Sequence, residues 1–154
     1  PEAGIYYTRD EGKTWKRSEL GGIISPITGM AAHPSDPRTI AVSTFGGLFI
    51  SRDFGQRFRR HGPEIMVTAV LFEPDGKHLL FASEGASALV RVALEGGANQ
   101  SLKLPALASD VVNYIARSPA DRKELAIATR RKNVFLSPDA GKSWKQIARE
   151  GEGL

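Results

Sequence analysis

Cysteine is missing altogether from the 154 residues. That removes any disulfide framework, thiol nucleophile or thiolate zinc site, although it does not choose a cellular compartment. No apolar stretch reaches ten residues, well short of the roughly 20 that a membrane-spanning helix needs. Neither sign of charge dominates: 21 Lys and Arg stand against 17 Asp and Glu, a net charge of +4. The dense Lys/Arg clusters of a dedicated nucleic-acid binder are lacking, so nucleic acid is not an expected partner. Helical i, i+3, i+4 periodicity is nowhere sustained. A glycine-rich phosphate loop and a nucleophile elbow are also absent. His33, His61 and His78 stand alone, without the spacing of metal ligands; no metal and no cofactor is expected.

What the chain has is glycine and proline, 16 and 9 of them, punctuating short β-branched and aromatic runs. It also has a repeat. Thr8-Arg9-Asp10-Glu11-Gly12-Lys13-Thr14-Trp15, Ser51-Arg52-Asp53-Phe54-Gly55-Gln56-Arg57-Phe58 and Ser137-Pro138-Asp139-Ala140-Gly141-Lys142-Ser143-Trp144 share the pattern Ser/Thr-x-Asp-x-Gly-x-Ser/Thr-Trp. The middle copy has Arg57 for the hydroxyl residue and Phe58 for Trp. The aspartates are 43 and 86 residues apart, the second gap twice the first. A fourth, eroded copy therefore belongs near position 96, with Leu94 in place of Asp and Gly96 in place of Gly. Pro34, Pro74 and Pro119 keep the same register, preceding the box position by 19, 20 and 20 residues.

Each period reads as four strands, A to D, the pattern of β-propeller blades. The fold class expected is all-β, with blades of four antiparallel strands. About three and a half blades are present, as part of a larger ring for which seven blades is one count left open. Residues 4–19 supply the outer C–D hairpin of an incomplete blade. Blades follow at 27–60, at 66–104 with the degenerate box, and at 111–148. With neither Met nor a leader ahead of Pro1, the repeats favour a start inside a larger unit.

The box occupies the C–D turn. Its Asp suits the turn amides, and Gly12, Gly55 and Gly141 suit a positive φ. Trp15, Phe58 and Trp144 are expected as wedges between adjacent sheets. The motif resembles the Asp-box (BNR) repeats of sialidase-like, sortilin-type and photosystem-assembly-factor-type propellers, and the resemblance covers essentially the whole chain. It implies that the boxes, with Asp10, Asp53 and Asp139, are structural and lie on the face opposite the ligand. Fold alone does not confer a site.

The ligand-side connections are then the B–C loops at 45–47, 84–87 and 130–132 and the D–A loops at 20–26, 61–64 and 105–110. Candidate ligand-face residues are Arg130, Arg131, Lys132, Glu84, Glu64, His61, Asp110 and Phe45. The three adjacent cations suit a carboxylate, a phosphate or an acidic protein surface; the alternative is a solvated hairpin tip. Arg57, Arg59 and Arg60 read as charges guarding a sheet edge. Glu64, Glu84 and Asp110 are the carboxylates from which a glycosidase pair would be drawn. The Phe/Tyr-Arg-Ile-Pro motif that precedes the first box of sialidases does not occur. Tyr6 and Tyr7 are expected to pack, and Tyr114 to reach the central channel.

Two functions remain open. One is a non-catalytic binding or assembly platform for a protein or for an anionic or glycan ligand, in an extracytoplasmic setting. The other is a sialidase-like or other glycoside hydrolase whose remaining catalytic residues lie outside this chain. Expected partners are the rest of the propeller or a second copy of the chain, and an acidic protein surface or a glycan.

Overall fold

Strands and tight turns make up the whole of the computed structural model, which describes residues 4–21 and 26–154. Residues 22–25 of the first D–A loop lie outside that range. Four antiparallel meanders follow one another. A hairpin pairs β1 (Tyr6–Tyr7) with β2 (Lys16–Arg17). The second sheet runs β3 (Ile27–Ala32), β4 (Ile40–Thr44), β5 (Gly47–Ser51) and β6 (Arg59–His61). The third runs β7 (Val67–Phe72), β8 (His78–Ser83), β9 (Ala88–Ala93) and β10 (Gln100–Lys103). The last runs β11 (Val112–Arg117), β12 (Leu125–Thr129), β13 (Val134–Ser137), β14 (Lys145–Arg149) and β15 (Glu152–Gly153). The first strands β3, β7 and β11 pack side by side, with the Thr28 hydroxyl donating to the Val67 carbonyl at 2.7 Å. This is the blade arrangement of a partial β-propeller.

Why these runs form stacked sheets follows from period-two alternation. In β8, Leu79 and Phe81 join Ala41, Leu48 and Ile50 of the second sheet in one core cluster. Leu80 and Ala82 of the same strand join Leu125, Ile127 and Phe135 of the last sheet in another. The third sheet is thus apolar on both faces, and both are covered. Ile5 of the first hairpin, Val42, Phe49 and Phe58 form the remaining cluster.

The boxes close the C–D turns in one repeated way. Asp10 Oδ1 accepts the Thr14 amide at 2.8 Å and Oδ2 the Thr14 hydroxyl at 2.5 Å. Asp139 repeats this with Ser143, at 2.8 and 2.6 Å. Asp53 takes the Arg57 amide at 2.9 Å, and the Arg57 guanidinium replaces the missing hydroxyl at 3.0 Å. The first box residue completes the network: Ser137 Oγ donates to Asp139 at 2.9 Å and accepts the Gly141 amide at 2.7 Å. Glu11, Phe54 and Ala140 precede the box glycines with φ of 59°, 64° and 60°. The carboxylate network holds these non-glycine residues in the left-handed region.

Leu94 shows what erosion does. Leu79 pairs with Val92 as Ile40 pairs with Ser51 and Leu125 with Ser137, which places Leu94 where Asp53 and Asp139 stand. Val92 has no hydroxyl to cap the turn. The strand therefore runs on, and the Leu94 amide bonds the Lys77 carbonyl at 2.9 Å. In the intact boxes the matching bond comes one residue later, from Phe54 to Arg38 and from Ala140 to Lys123. Leu94 itself is buried in the core between the second and third sheets.

Three expectations need correction. Trp15 is not a wedge here: it is 61% exposed, and its indole N–H bonds the carbonyl of Gly12 in its own turn at 3.1 Å. Trp144 instead reaches the preceding sheet, donating to the Lys103 carbonyl at 3.0 Å, and Phe58 is buried against the first hairpin. Trp15 has no preceding sheet among the described residues. The last sheet has five strands, not four, because Glu150 and Gly151 (φ 52° and 96°) turn the chain back as β15. The outer strands also run one residue past the expected blade bounds of 60 and 148, as β6 (Arg59–His61) and β14 (Lys145–Arg149).

Removing the Ser137 hydroxyl (Ser137→Ala) leaves the Gly141 amide unsatisfied at a buried site. It should cost about 1–3 kcal/mol of unfolding free energy in urea titrations. The hydroxyls of Thr14 and Ser143, with their amides, hold the Asp10 and Asp139 carboxyls down to about 2. A folded pKa below the unfolded value near 3.9 gives stability that is complete above that value and lost as pH falls through the folded one. The thermal midpoint should therefore stay level from about pH 8 to 5 and drop between about pH 4 and 2. An Asp10→Asn/Asp139→Asn double variant should start lower and show a shallower drop.

Candidate functional site

The B–C and D–A connections form two groups. In the second sheet, the Phe45 amide donates to the Pro26 carbonyl at 3.2 Å and leaves its ring exposed. Arg60 holds this corner. Its guanidinium lies 5.0 Å over the Phe49 ring, bonds the Gly46 carbonyl, and meets Glu64 at 3.7 Å. His61 does not join this group. Paired with Leu48 across the ladder, it turns to the face that meets the third sheet, where its Nε2 lies 3.1 Å from the Ala93 carbonyl.

The second group lies between the third and last sheets. The connections at 84–87 and 103–111 enclose an open groove of about 760 Å³ with Leu104, Pro105, Ala106 and Leu107 on its wall. The D–A loop turns at Ala108 and Ser109, both left-handed (φ 47° and 67°), closed by the Asp110 amide on the Leu107 carbonyl at 2.9 Å. A tight turn with two positive φ values normally takes Asn or Gly. Here Asp110 fixes it: Oδ1 accepts the Val111 amide at 2.9 Å and the Arg131 amide at 3.1 Å, and Oδ2 accepts Asn133 Nδ2 at 2.9 Å. Burial works to raise the Asp110 pKa. Hydrogen bonds from Thr129, Asn133, Val111 and Arg131 outweigh it and hold the carboxyl below the usual range. Asp110 is thereby kept ionised and fully engaged.

Arg130, Arg131 and Lys132 form the adjoining loop, all exposed. Arg130 stands 3.9 Å from Glu84. Arg131 and Lys132 have no carboxylate partner for their side chains among the described residues. The structure thus brings together Glu84, Asp110 and the three cations, and leaves Phe45 and Glu64 in the other group. Tyr114 lies on β11 and is 69% exposed. Among the described residues, no three His, Asp or Glu side chains converge as metal ligands. No helix is long and apolar enough to cross a membrane.

Several structural residues escaped sequence reasoning. Asp36, Asp75 and Asp121 each accept the amide two residues on, from Arg38, Lys77 and Lys123 at 3.1, 2.8 and 2.8 Å. The recurring Asp-x-Lys/Arg after each marker proline was a readable signal for these A–B turns. Glu73 and Arg117, from neighbouring sheets, form a two-pronged ion pair at 2.9 and 3.0 Å. His33, at the position equivalent to Glu73, bridges the same kind of seam by bonding the Gly76 carbonyl at 2.7 Å. Its Nδ1 accepts the amides of Ser35 and Asp36, which assigns the proton to Nε2. Asn133 had no sequence signal, since its partners lie far along the chain.

The BNR/Asp-box repeat family matches at residues 6–17. No curated protein matches the sequence. Solved propellers do match the structure. An ancestral GH74 enzyme superposes with a TM-score of 0.72 at 18% identity, over 94% of this chain and 21% of that one. A YCF48 structure with bound D1 peptide gives 0.66 at 16% identity, over 87% and 44%. The GH74 enzyme of Niastella koreensis gives 0.68 at 18%, over 94% and 26%. The chain therefore spans less than half the length of each. It carries a BNR/Asp-box repeat at residues 6–17 and has the fold of part of a β-propeller.

Proposed function

We propose that this chain contributes a binding platform for an acidic segment of a partner protein, seated along the groove at 84–87 and 103–111 with its carboxylates on Arg130, Arg131 and Lys132. The observation that carries the reading is the combination of an apolar groove wall with an adjoining loop whose exposed Arg131 and Lys132 have no carboxylate partner among the described residues. A purely anionic glycan makes no use of Pro105, Ala106 and Leu107; a peptide with mixed apolar and acidic side chains uses both the wall and the adjoining cations. The YCF48 structure with a bound peptide supports a protein ligand on this fold.

The hydrolase reading, favoured by the likeness to GH74 enzymes, needs a carboxylic acid that donates a proton and a second carboxylate across the scissile bond. Asp110 is held ionised by its hydrogen bonds, Glu84 faces Arg130, and Glu64 faces Arg60.

The test is fluorescence anisotropy with a labelled peptide of alternating Leu and Glu, alongside an oligoglutamate, sialosides and plant-polysaccharide oligomers. Reversing all three cations to Glu should weaken the mixed peptide by about tenfold or more and flatten its salt dependence. Equal binding by the reversed variant overturns the proposal. So does turnover of any oligosaccharide that disappears in Glu84→Gln or Glu64→Gln.

A further inference from the structure

Asn133 is a junction between four parts of the chain. Its Nδ2 donates to Asp110 Oδ2 of the D–A loop at 2.9 Å. Its Oδ1 accepts Gln146 Nε2 of β14 and the Glu150 amide of the C-terminal turn, each at 3.2 Å. Its own amide bonds Thr129 Oγ1 at 3.1 Å, and its carbonyl accepts the Thr129 amide at 3.0 Å, closing the cationic loop at its base. The amide orientation is dictated by chemistry: a carboxylate only accepts and a backbone N–H only donates. Inside the loop, Lys132 is left-handed, with φ 62°. It is pinned from both sides, its amide on the Thr129 carbonyl and its carbonyl taking the Gly151 amide, each at 3.0 Å. Arg131 is pinned by its amide on Asp110.

An ordinary hairpin tip does not need this. A lysine in a left-handed turn, tied to a half-buried amide, to the neighbouring loop and to an added strand, is a conformation that the surroundings impose. Strain of that sort is held at ligand clamps more often than at idle tips. We infer that Asp110 and Asn133 act as a hydrogen-bonded pair that fixes the cationic loop in its binding geometry, which makes Asn133 a positioning residue for the anion-binding rim. The turn at Glu150 and Gly151 that leads into β15 serves the same purpose, the Gly151 amide holding the Lys132 carbonyl. The inference rests on the binding reading above for its functional meaning, while the loop geometry is testable without any ligand.

The pair is open to an exchange of chemistry. In an Asp110→Asn/Asn133→Asp variant, the carboxamide oxygen introduced at position 110 still accepts the Val111 and Arg131 amides. The carboxamide nitrogen there donates to the carboxylate introduced at position 133, whose other oxygen still accepts from Gln146 and Glu150. The bonds to Val111, Arg131, Gln146 and Glu150 and the one between positions 110 and 133 all survive, and the local net charge is unchanged. The single Asp110→Asn variant places two amide N–H groups against each other, yet it makes the rim more positive. Charge alone predicts tighter binding of the mixed Leu/Glu peptide by this variant; positioning predicts weaker binding.

Hydrogen exchange at the Arg131 and Lys132 amides, with peptide anisotropy beside it, tests this on the 154-residue chain. The Asp110→Asn and Asn133→Ala variants should exchange these amides at least tenfold faster and bind the peptide at least fivefold more weakly. The double exchange should return both to within about twofold of the parent. Parent-like exchange and binding in Asn133→Ala overturns the inference, and so does tighter binding by Asp110→Asn. If the double variant does not fold, the two single variants decide. If the parent binds no peptide, the binding reading fails, while the exchange data still decide whether the pair sets the loop.

Discussion

Leu79 and Leu80 are neighbours on one strand, and neither meets water. One packs towards the second sheet and the other towards the last. A sheet that is apolar on both faces is stable only between two others. Each fully buried leucine contributes about 1.5–3 kcal/mol relative to exposure, and that gain exists only when both neighbours are in place. Stacking is therefore the condition for each sheet to fold. The inter-sheet bonds follow from it: Trp144 to Lys103, Thr28 to Val67, His33 to Gly76 and Arg117 to Glu73 all cross a seam. The exposed Trp15 is the same rule seen from its unmet side. Its side chain is built for a seam, and no sheet among the described residues forms the far wall.

Stacking leaves the strand ends free, and the two ends are handled by different chemistry. At the box end, carboxylates accept turn amides in every intact repeat, and the A–B turns beside them use Asp36, Asp75 and Asp121 in a similar way. All of these bonds are local in sequence; the box pattern was read there, while the Asp-x-Lys/Arg signal of the A–B turns was equally local but passed over. An Asp two residues after a Ser or Thr and two before a Gly has few physical meanings, and repeating it at one period leaves only one. The fold class and the register of the eroded copy at Leu94 followed from that. The Leu79–Val92 pairing then gave the erosion a mechanism: without the hydroxyl at position 92, the strand continues one residue further.

At the other end the bonds are between distant residues, and the sequence was correspondingly poor. Each first strand carries a bulge at its second residue, Thr28, Thr68 or Asn113, and no shared residue type announces it. His61 was expected in a D–A connection and so on the loop face, but it is the last residue of β6. Its side chain follows the alternation of β6 instead, and turns to the neighbouring sheet. Asp110 was legible as a carboxylate near the cations, but its role depends on Asn133, Arg131 and Val111. Only the folded chain brings that set together. The extra strand β15 was invisible for the same reason, since two residues carry no periodicity to read.

The contrast between the ends bears on where specificity can reside. The box turns are near copies, each held by the same pair of hydrogen bonds, so they differ little as surfaces. The loops opposite share no internal template. Ala108, Ser109 and Lys132 adopt left-handed conformations there without glycine, and each such residue costs of order 1–3 kcal/mol unless its surroundings enforce it. That cost is met by the Asp110 carboxylate, the Asn133 amide and the turn at Gly151, all converging on the cationic loop. The erosion at Leu94 shows that this chain gives up a hydrogen-bonded turn where burial compensates. Left-handed residues occur at both ends, at Glu11, Phe54 and Ala140 in the boxes as well as at Lys132; what differs beside the apolar groove is that shape is set by non-local bonds that the repeat itself does not supply.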